Sequence, residues 1–457
     1  MKMIRAIALL FLGILILGGC RVGKNYTRPE VQLPEHYLFD EEKANFDDKL
    51  KWWNLFNDPE LDTLIQKALH NNKDLLATAQ RVEAVRHQLA IQKADLYPQF
   101  SYSGTAGRGN YAGSKLPNPV NSFNLIGQAS WELDFWGKIR RMNEAAQAQY
   151  LASEHGLNAL RLSLVTTLAT TYFQVQEFNA KLQIAESTYA IRDSSYQILQ
   201  YRFDAGIIPA IDLNHSRIQK AIAEAAIPLY KRLATQSENF LAILVGEYPS
   251  QQDYANKLNV YAQVPEIPAG IPSSLLDRRP DIMQAEQELI AQTAMVGVAQ
   301  ALRLPSFSLT GLLGVASNDL SELTSGDPAW NVNGSLLGPL FNWQKNANRV
   351  KAEEALTQAA IHQYEGIVLH AFREVEDALV AIQTLKQEEK AIQEHVDAAV
   401  EAAKLSEERY DKGIASYIEF LESQRQAFDA QMSLTSNKQD LLEAFINLYQ
   451  ALGGGWE

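Results

Sequence analysis

The 457-residue sequence predicts an α+β membrane protein in which short amphipathic strands supply part of a β-barrel wall and very long helices continue it. Three observations point there. The heptamer YRFDAGI at 201–207 returns as ERYDKGI at 408–414, so Phe203, Asp204 and Gly206 are answered by Tyr410, Asp411 and Gly413 at an offset of 207 (413 − 206). Two stretches, 138–204 and 344–412, hold one glycine each, Gly156 and Gly366, and no proline. In front of each stretch, apolar and polar residues alternate with the period of a strand.

Composition is compatible with this class: 46% hydrophobic and 21% charged residues are those of a folded chain, and the length allows two or three domains. The formal charge of −13 becomes −15 (−13 − 2) once Lys2 and Arg5 leave with the leader, and no basic stripe offsets it, which argues against nucleic acid as a partner. The leader MKMIRAIALLFLGILILGGC has two early cations and an apolar run too short to favour a spanning helix, the layout of a secretory signal. Cys20 is the only cysteine, so no internal disulfide can form. Leu17-Gly18-Gly19-Cys20 resembles a bacterial lipobox, which makes Cys20 the acylated, palmitate-bearing N-terminus. Arg21 rather than Asp at the next position then implies the outer membrane.

The offset of 207 recurs along the chain. Asp74-Leu75 is answered by Asp281-Ile282, Pro98-Gln99-Phe100-Ser101 by Pro305-Ser306-Phe307-Ser308, Trp136 by Trp343, Ile211 by Ile418 and Gln219 by Gln426. Agreement in several separated regions predicts an internal duplication. The chain parses into a leader 1–19, an anchored segment 20–59, a first repeat 60–246, a connector 247–274 interrupted by Pro249, Pro265, Pro268 and Pro272, a second repeat 275–452 and a tail 453–457.

At 1.5 Å per residue the stretch 138–204 would form a rod of roughly 100 Å, which needs lateral partners. Leu157, Leu160, Leu164, Leu168, Thr171, Val175, Phe178 and Leu182 give it a packed seam, and Val396, Ala399, Val400, Ala403 and Tyr410 give the second rod a similar stripe. A coiled coil would show the same. What a coiled coil leaves unexplained is NLIGQASWELDF, where Leu125, Gly127, Ala129, Trp131, Leu133 and Phe135 share one parity and Asn124, Gln128, Ser130, Glu132 and Asp134 the other. In PSFSLTGLLGVAS, Phe307, Leu309, Leu313 and Val315 alternate with Ser306, Ser308 and Thr310, and QFSYSGTAG and WNVNGSLLGPLF complete two strands per repeat. An apolar face, a polar face and aromatics at the ends fit a membrane barrel, although a soluble sandwich sheet has the same parity. Four strands cannot close in hydrocarbon, because open edges leave backbone groups unpaired. Two copies give a filled eight-stranded barrel, whereas three give twelve strands and a lumen.

Six collinear stretches carry a resemblance: CRVGKNYTRPE, WWNLFNDPELDTLIQKALHNNKDL, ELDFWGKIR, LLDRRPDIMQAE, LPSFSLTGLLG and ALGGGW. Together they resemble the lipid-anchored branch of the TolC-type outer membrane efflux proteins over essentially the whole mature chain. The resemblance implies a homotrimer, four strands per protomer in a twelve-stranded barrel continuous with an α-helical barrel that projects into the periplasm. It implies a passive outer membrane conduit for drugs or other small molecules, with a periplasmic adaptor and an inner membrane resistance-nodulation-division transporter as partners. No enzymatic activity, cofactor or metal is expected.

The resemblance places YRFDAGIIPAIDLNHSR and ERYDKGIASYIEFLESQR at two hairpin tips. Gly206, Ile207, Gly413, Ile414 and Ser416 become candidates for adaptor contact, with Gly206 and Gly413 suited to tight reversals. Glu419 and Glu422 fall where the family's prototype has pore-facing aspartates, and Tyr410 and Asp212 where neighbouring hairpins are tied in its closed state. A solvated face would also account for the two glutamates. The chain departs from the prototype at Ala415, where an arginine is expected.

The remaining motifs are weaker. Arg278-Arg279-Pro280-Asp281 is a helix start with no transport role. GTAGRG has the wrong glycine order for a dinucleotide loop, no phosphate loop or hydrolase motif occurs, and His362 and His370 are exposed rod positions. A pore-less anchored scaffold or adhesin is the rival reading. Export of proteins or metal ions is the variant within the conduit class, to which the six scattered methionines lend no soft-metal ladder.

Overall fold

The computed structural model describes residues 21–31, 33–34, 37–39, 52–110, 119–249 and 275–454. The leader, Cys20 and most of the predicted connector and tail lie outside these. A short 3-10 helix, Trp52–Phe56, precedes α1 (Pro59–Asn71), α2 (Lys73–Ala94), β1 (Gln99–Gly109), β2 (Val120–Leu133), α3 (Lys138–Asp204) and α4 (Ala210–Val245). After a helical turn at Leu275–Arg278 come α5 (Pro280–Ala301), β3 (Ser306–Ser317), β4 (Ala329–Leu337), α6 (Lys345–Asp411) and α7 (Tyr417–Ala451). Each proline-free stretch holds a single helix of 67 residues, and the first residues of the two helices, Lys138 and Lys345, lie 207 apart. Among the described residues no helix is long and apolar enough to cross a membrane.

The chain divides into two compact units, each drawn from three stretches: Met1–Val31, Gln80–His155 and Gln284–Gly366 in one, Gln32–Ala79, Gly156–Met283 and Ile367–Glu457 in the other. The first holds one antiparallel sheet in the order β1-β2-β3-β4. Its register aligns the predicted parities into rows. Tyr102, Gly127, Leu313 and Trp330 are cross-strand neighbours, as are Phe100, Ala129, Gly311 and Val332, while Gln99, Ser130, Thr310 and Asn333 line up on the opposite face. Three large apolar residues, Ile126, Leu312 and Leu337, break the polar parity. Tyr102 and Trp330 are 86% and 73% exposed, and Leu313 is exposed beside them. A contiguous apolar face of this kind needs another apolar phase or another protein surface to cover it. The fourth strand is shorter than its sequence suggests. Gly338-Pro339 follows Leu337 directly, and proline has no N–H for the ladder, so GPLF falls outside it.

In the same unit the N-terminal segment is fastened beside the end of β2. Val22 donates its N–H to Trp136 O at 3.1 Å, and buried Arg141 donates to Val22 O at 3.1 Å and Gly23 O at 2.7 Å. Arg28 forks onto Glu286 at 2.7 and 2.6 Å, and Tyr26 donates to the same carboxylate at 2.9 Å.

The second unit has an aromatic core. Trp52 stacks on Tyr449 at 5.3 Å between ring centroids, and Phe56 lies 5.0 Å from Phe173. Along α3 the predicted seam residues Leu157, Leu164, Leu168, Thr171 and Val175 are buried, but so are Leu162, Val165, Tyr172 and Phe173, a wider stripe than a two-helix seam leaves. In α6, Val396 and Ala399 are buried, whereas Val400, expected on the same stripe, is exposed. Arg279 does more than start α5. It is buried and donates to Asp281 at 2.6 Å, Glu374 at 2.8 Å and Ala451 O at 3.0 Å, so it joins α5, α6 and α7.

Candidate functional site

Every site residue singled out from the sequence except Cys20 lies at the ends of two helical hairpins, α3–α4 and α6–α7, within the second unit. The two reversals share a backbone plan. Gly206 has φ +71° and Gly413 φ +70°. Gly206 N–H reaches Phe203 O at 2.8 Å and Ile207 N–H reaches Arg202 O at 2.9 Å, while Gly413 and Ile414 do the same to Tyr410 O and Arg409 O, both at 2.9 Å. These bonds satisfy carbonyls that a helix end leaves free. A Cβ at either glycine would meet nothing within 4 Å, so glycine serves the dihedral and not the space.

The returning helices start differently. Pro209 precedes α4 without a side-chain cap bond, whereas Ser416 accepts the Glu419 N–H at 3.3 Å and caps α7. Ile207 and Ile414 are 70% and 65% exposed, which presents an apolar side chain at each tip. Ser416 is also exposed, but its hydroxyl is already engaged in the cap.

Leu199, Tyr417, Phe420 and Leu421 form a buried cluster with Ile208 and Leu213 of the first hairpin and Tyr410 of the second packed on it. The Tyr410 ring lies parallel to Phe420 at 5.8 Å. Burial, aided by Tyr410 and Asp212, pushes the Tyr417 hydroxyl up to about 12. Tyr410 does meet the other hairpin, and its partner is Arg202, whose Nη1 donates to Tyr410 Oη at 3.1 Å. Asp212 is half-buried and gives its backbone N–H to Pro209 O at 3.2 Å; among the described residues it makes no bond to Tyr410.

Both candidate gate carboxylates carry an arginine. Arg409 Nε donates to Glu419 at 3.2 Å. Arg425 forks onto Glu422 at 3.0 and 2.5 Å and reaches Asp429 at 2.9 Å, so its guanidinium holds the exposed Glu422 carboxyl below the usual range. The sequence reading named the acids and missed Arg202, Arg409 and Arg425. A signal for two of them was present: Arg202 and Arg409 stand at matching places in the repeated heptamer. Among the described residues no cluster of three His, Cys, Asp or Glu could hold a metal ion.

The sequence model of the outer membrane efflux protein family matches this chain twice, over residues 64–247 and 271–454. The chain belongs to the outer membrane efflux protein family. It is 33% identical over 455 residues to the probable efflux pump outer membrane protein TtgC of Pseudomonas putida, a match covering 96% of this chain and 94% of TtgC. It is 32% identical over 449 residues to the cation efflux system protein CusC of Escherichia coli, covering 97% of each. The solved structure of the Campylobacter jejuni outer membrane channel CmeC superposes with a TM-score of 0.90 at 27% identity, covering 96% of each chain. The protein is therefore an outer membrane efflux channel component, mostly helical with four strands per chain. Family membership sets the pore-less scaffold and adhesin readings aside.

Proposed function

We propose that the chain is one third of a homotrimeric, passive conduit of a tripartite efflux pump, formed by duplication of a helix, two strands and a helical hairpin. One observation carries this: a four-stranded sheet with open edges at β1 and β4 and an exposed apolar face. Unpaired edge groups cost several kcal/mol each in hydrocarbon, so the edges must pair, and twelve strands leave a lumen where eight do not. Matching element starts 207 residues apart and the double family match support the duplication.

Acyl chains on Cys20 anchor the protein to the outer membrane, and Val22, two residues on, is held at Trp136 beside the sheet. The tips formed by Gly206, Ile207, Gly413, Ile414 and Ser416 meet a periplasmic adaptor, behind which stands a resistance-nodulation-division transporter. Glu419 and Glu422, with Tyr410 and Asp212, form the periplasmic gate. Cargo is set by the pump: TtgC and CusC, nearly equal in identity to this chain, carry the names of a probable efflux pump outer membrane protein and a cation efflux system protein.

Purified protein in detergent is expected to have the mass of three chains, and these trimers to conduct in planar bilayers, more strongly in Glu419→Gln/Glu422→Gln. Stable single chains, or trimers silent even with both charges removed, would overturn the proposal.

A further inference from the structure

The repeats place an arginine four residues before each tip glycine, Arg202 before Gly206 and Arg409 before Gly413. Their partners differ. Arg409 stays within its own hairpin on Glu419, 3.2 Å away. Arg202 crosses to the other hairpin, donating to Tyr410 Oη at 3.1 Å with its guanidinium carbon 5.5 Å from the Tyr410 ring centroid.

The crossing runs one way for a chemical reason. The residue matching Tyr410 in the first repeat is Phe203, which has no hydroxyl, so Arg409 finds no equivalent acceptor there. Ala415 has no side-chain donor to offer either. Tyr410 is also a fixed target, because its ring rests against Phe420 and Tyr417 at 5.8 and 5.4 Å. A bond to an immobilised ring transmits a displacement of one hairpin to the other, where a bond to a free side chain would simply rotate.

We infer that Arg202 is the latch between the two hairpins of each protomer, supplying from the first tip the tie that Ala415 cannot supply from the second. The inference rests on the reading of these tips as the gate. Parting the hairpins breaks the Arg202–Tyr410 bond and withdraws the guanidinium from the ring face in the same motion.

The test is single-channel recording of full-length trimers in planar bilayers, with the melting temperature of each trimer measured alongside. Arg202→Ala is expected to raise the open fraction about tenfold, the factor that a charge-assisted hydrogen bond carries. Tyr410→Phe keeps the ring and removes only the acceptor, so it should open less than Arg202→Ala. Adding Ala415→Arg to Arg202→Ala should restore closure. A merely structural Arg202 would lower the melting temperature without changing the open fraction, and that result overturns the inference. If Arg202→Ala and Tyr410→Phe gate like the parent while Tyr417→Ala/Phe420→Ala opens the channel, the latch assignment fails and the gate reading stands. If no variant conducts, the gate reading fails and the latch with it.

Discussion

Asp58 offers the sharpest test of how the second unit is held together. Its Oδ1 accepts the N–H groups of Glu60 and Leu61 at 2.9 and 3.2 Å, capping α1 ahead of Pro59, and its Oδ2 accepts the Tyr172 hydroxyl at 2.8 Å. Tyr172 is buried on α3, far along the sequence, so one carboxylate joins a local cap to a tertiary contact. Asp58→Ala removes the cap, worth about 1 kcal/mol, and strands a buried hydroxyl, worth about 1–3 kcal/mol, for a loss of roughly 2–4 kcal/mol. Asp58→Asn keeps an acceptor for the cap and gives the hydroxyl a donor, so its loss should stay under about 1 kcal/mol, near the helix-dipole contribution. In a Tyr172→Phe background the orphaned hydroxyl is gone, and Asp58→Ala should cost only the cap. Urea unfolding of the purified protein, followed by far-UV circular dichroism, gives the double-mutant cycle directly. Equal losses for Asp58→Ala in the two backgrounds would refute the claim that the tyrosine and the cap are coupled.

Other expectations follow from the same geometry. Gly206→Ala and Gly413→Ala place a side chain at φ near +70° and should each cost about 1–2 kcal/mol without a clash, read as lowered melting temperature; no change would mean that the turns relax to another conformation. Arg425→Gln leaves Glu422 and Asp429 unneutralised, so the reversal potential in a salt gradient should become more cation-selective. The low-pH limb of conductance should also move to higher pH, since the arginine is what holds the Glu422 carboxyl low. Tyr417 has a folded value raised by burial to about 12 against about 10 unfolded, so its contribution to stability is complete below pH 10 and is lost as pH climbs from 10 to about 12. Tyr417→Phe should flatten that part of the alkaline melting profile.

Much of the fold was legible because its strongest signals are periodic. A strand with one face toward lipid must alternate, and residues 124–133, Ile126 apart, do so in the register observed against β3. Long helices declare themselves by the absence of breakers, and 138–204 is helical throughout. Lateral packing was less legible, because burial depends on how many neighbours surround a helix: Tyr172 and Phe173 face partners that a two-helix seam would not have, and Val400 lacks one. The site divides similarly. Gly206 and Gly413 were readable since a single dihedral demands them. Arg279 looked like a helix-start residue because its three acceptors come from Asp281 nearby and from Glu374 and Ala451 far along the chain.

The two hairpins also show how repeated sequence yields repeated backbone without repeated chemistry. Backbone reversal needs a glycine and a few N–H groups, which both copies keep, so the turns superimpose in their bonds and dihedrals. Side-chain ties hinge on single atoms. One oxygen separates Tyr410 from Phe203, and it decides which arginine can reach across. Further up, Pro228 lies inside α4 and removes a backbone donor, whereas the matching Thr435 keeps its N–H and bonds Gln431 O through its hydroxyl at 2.9 Å. The shared sequence of the two hairpins therefore fixes where the tips are, while the atoms by which they differ fix which side chains reach across.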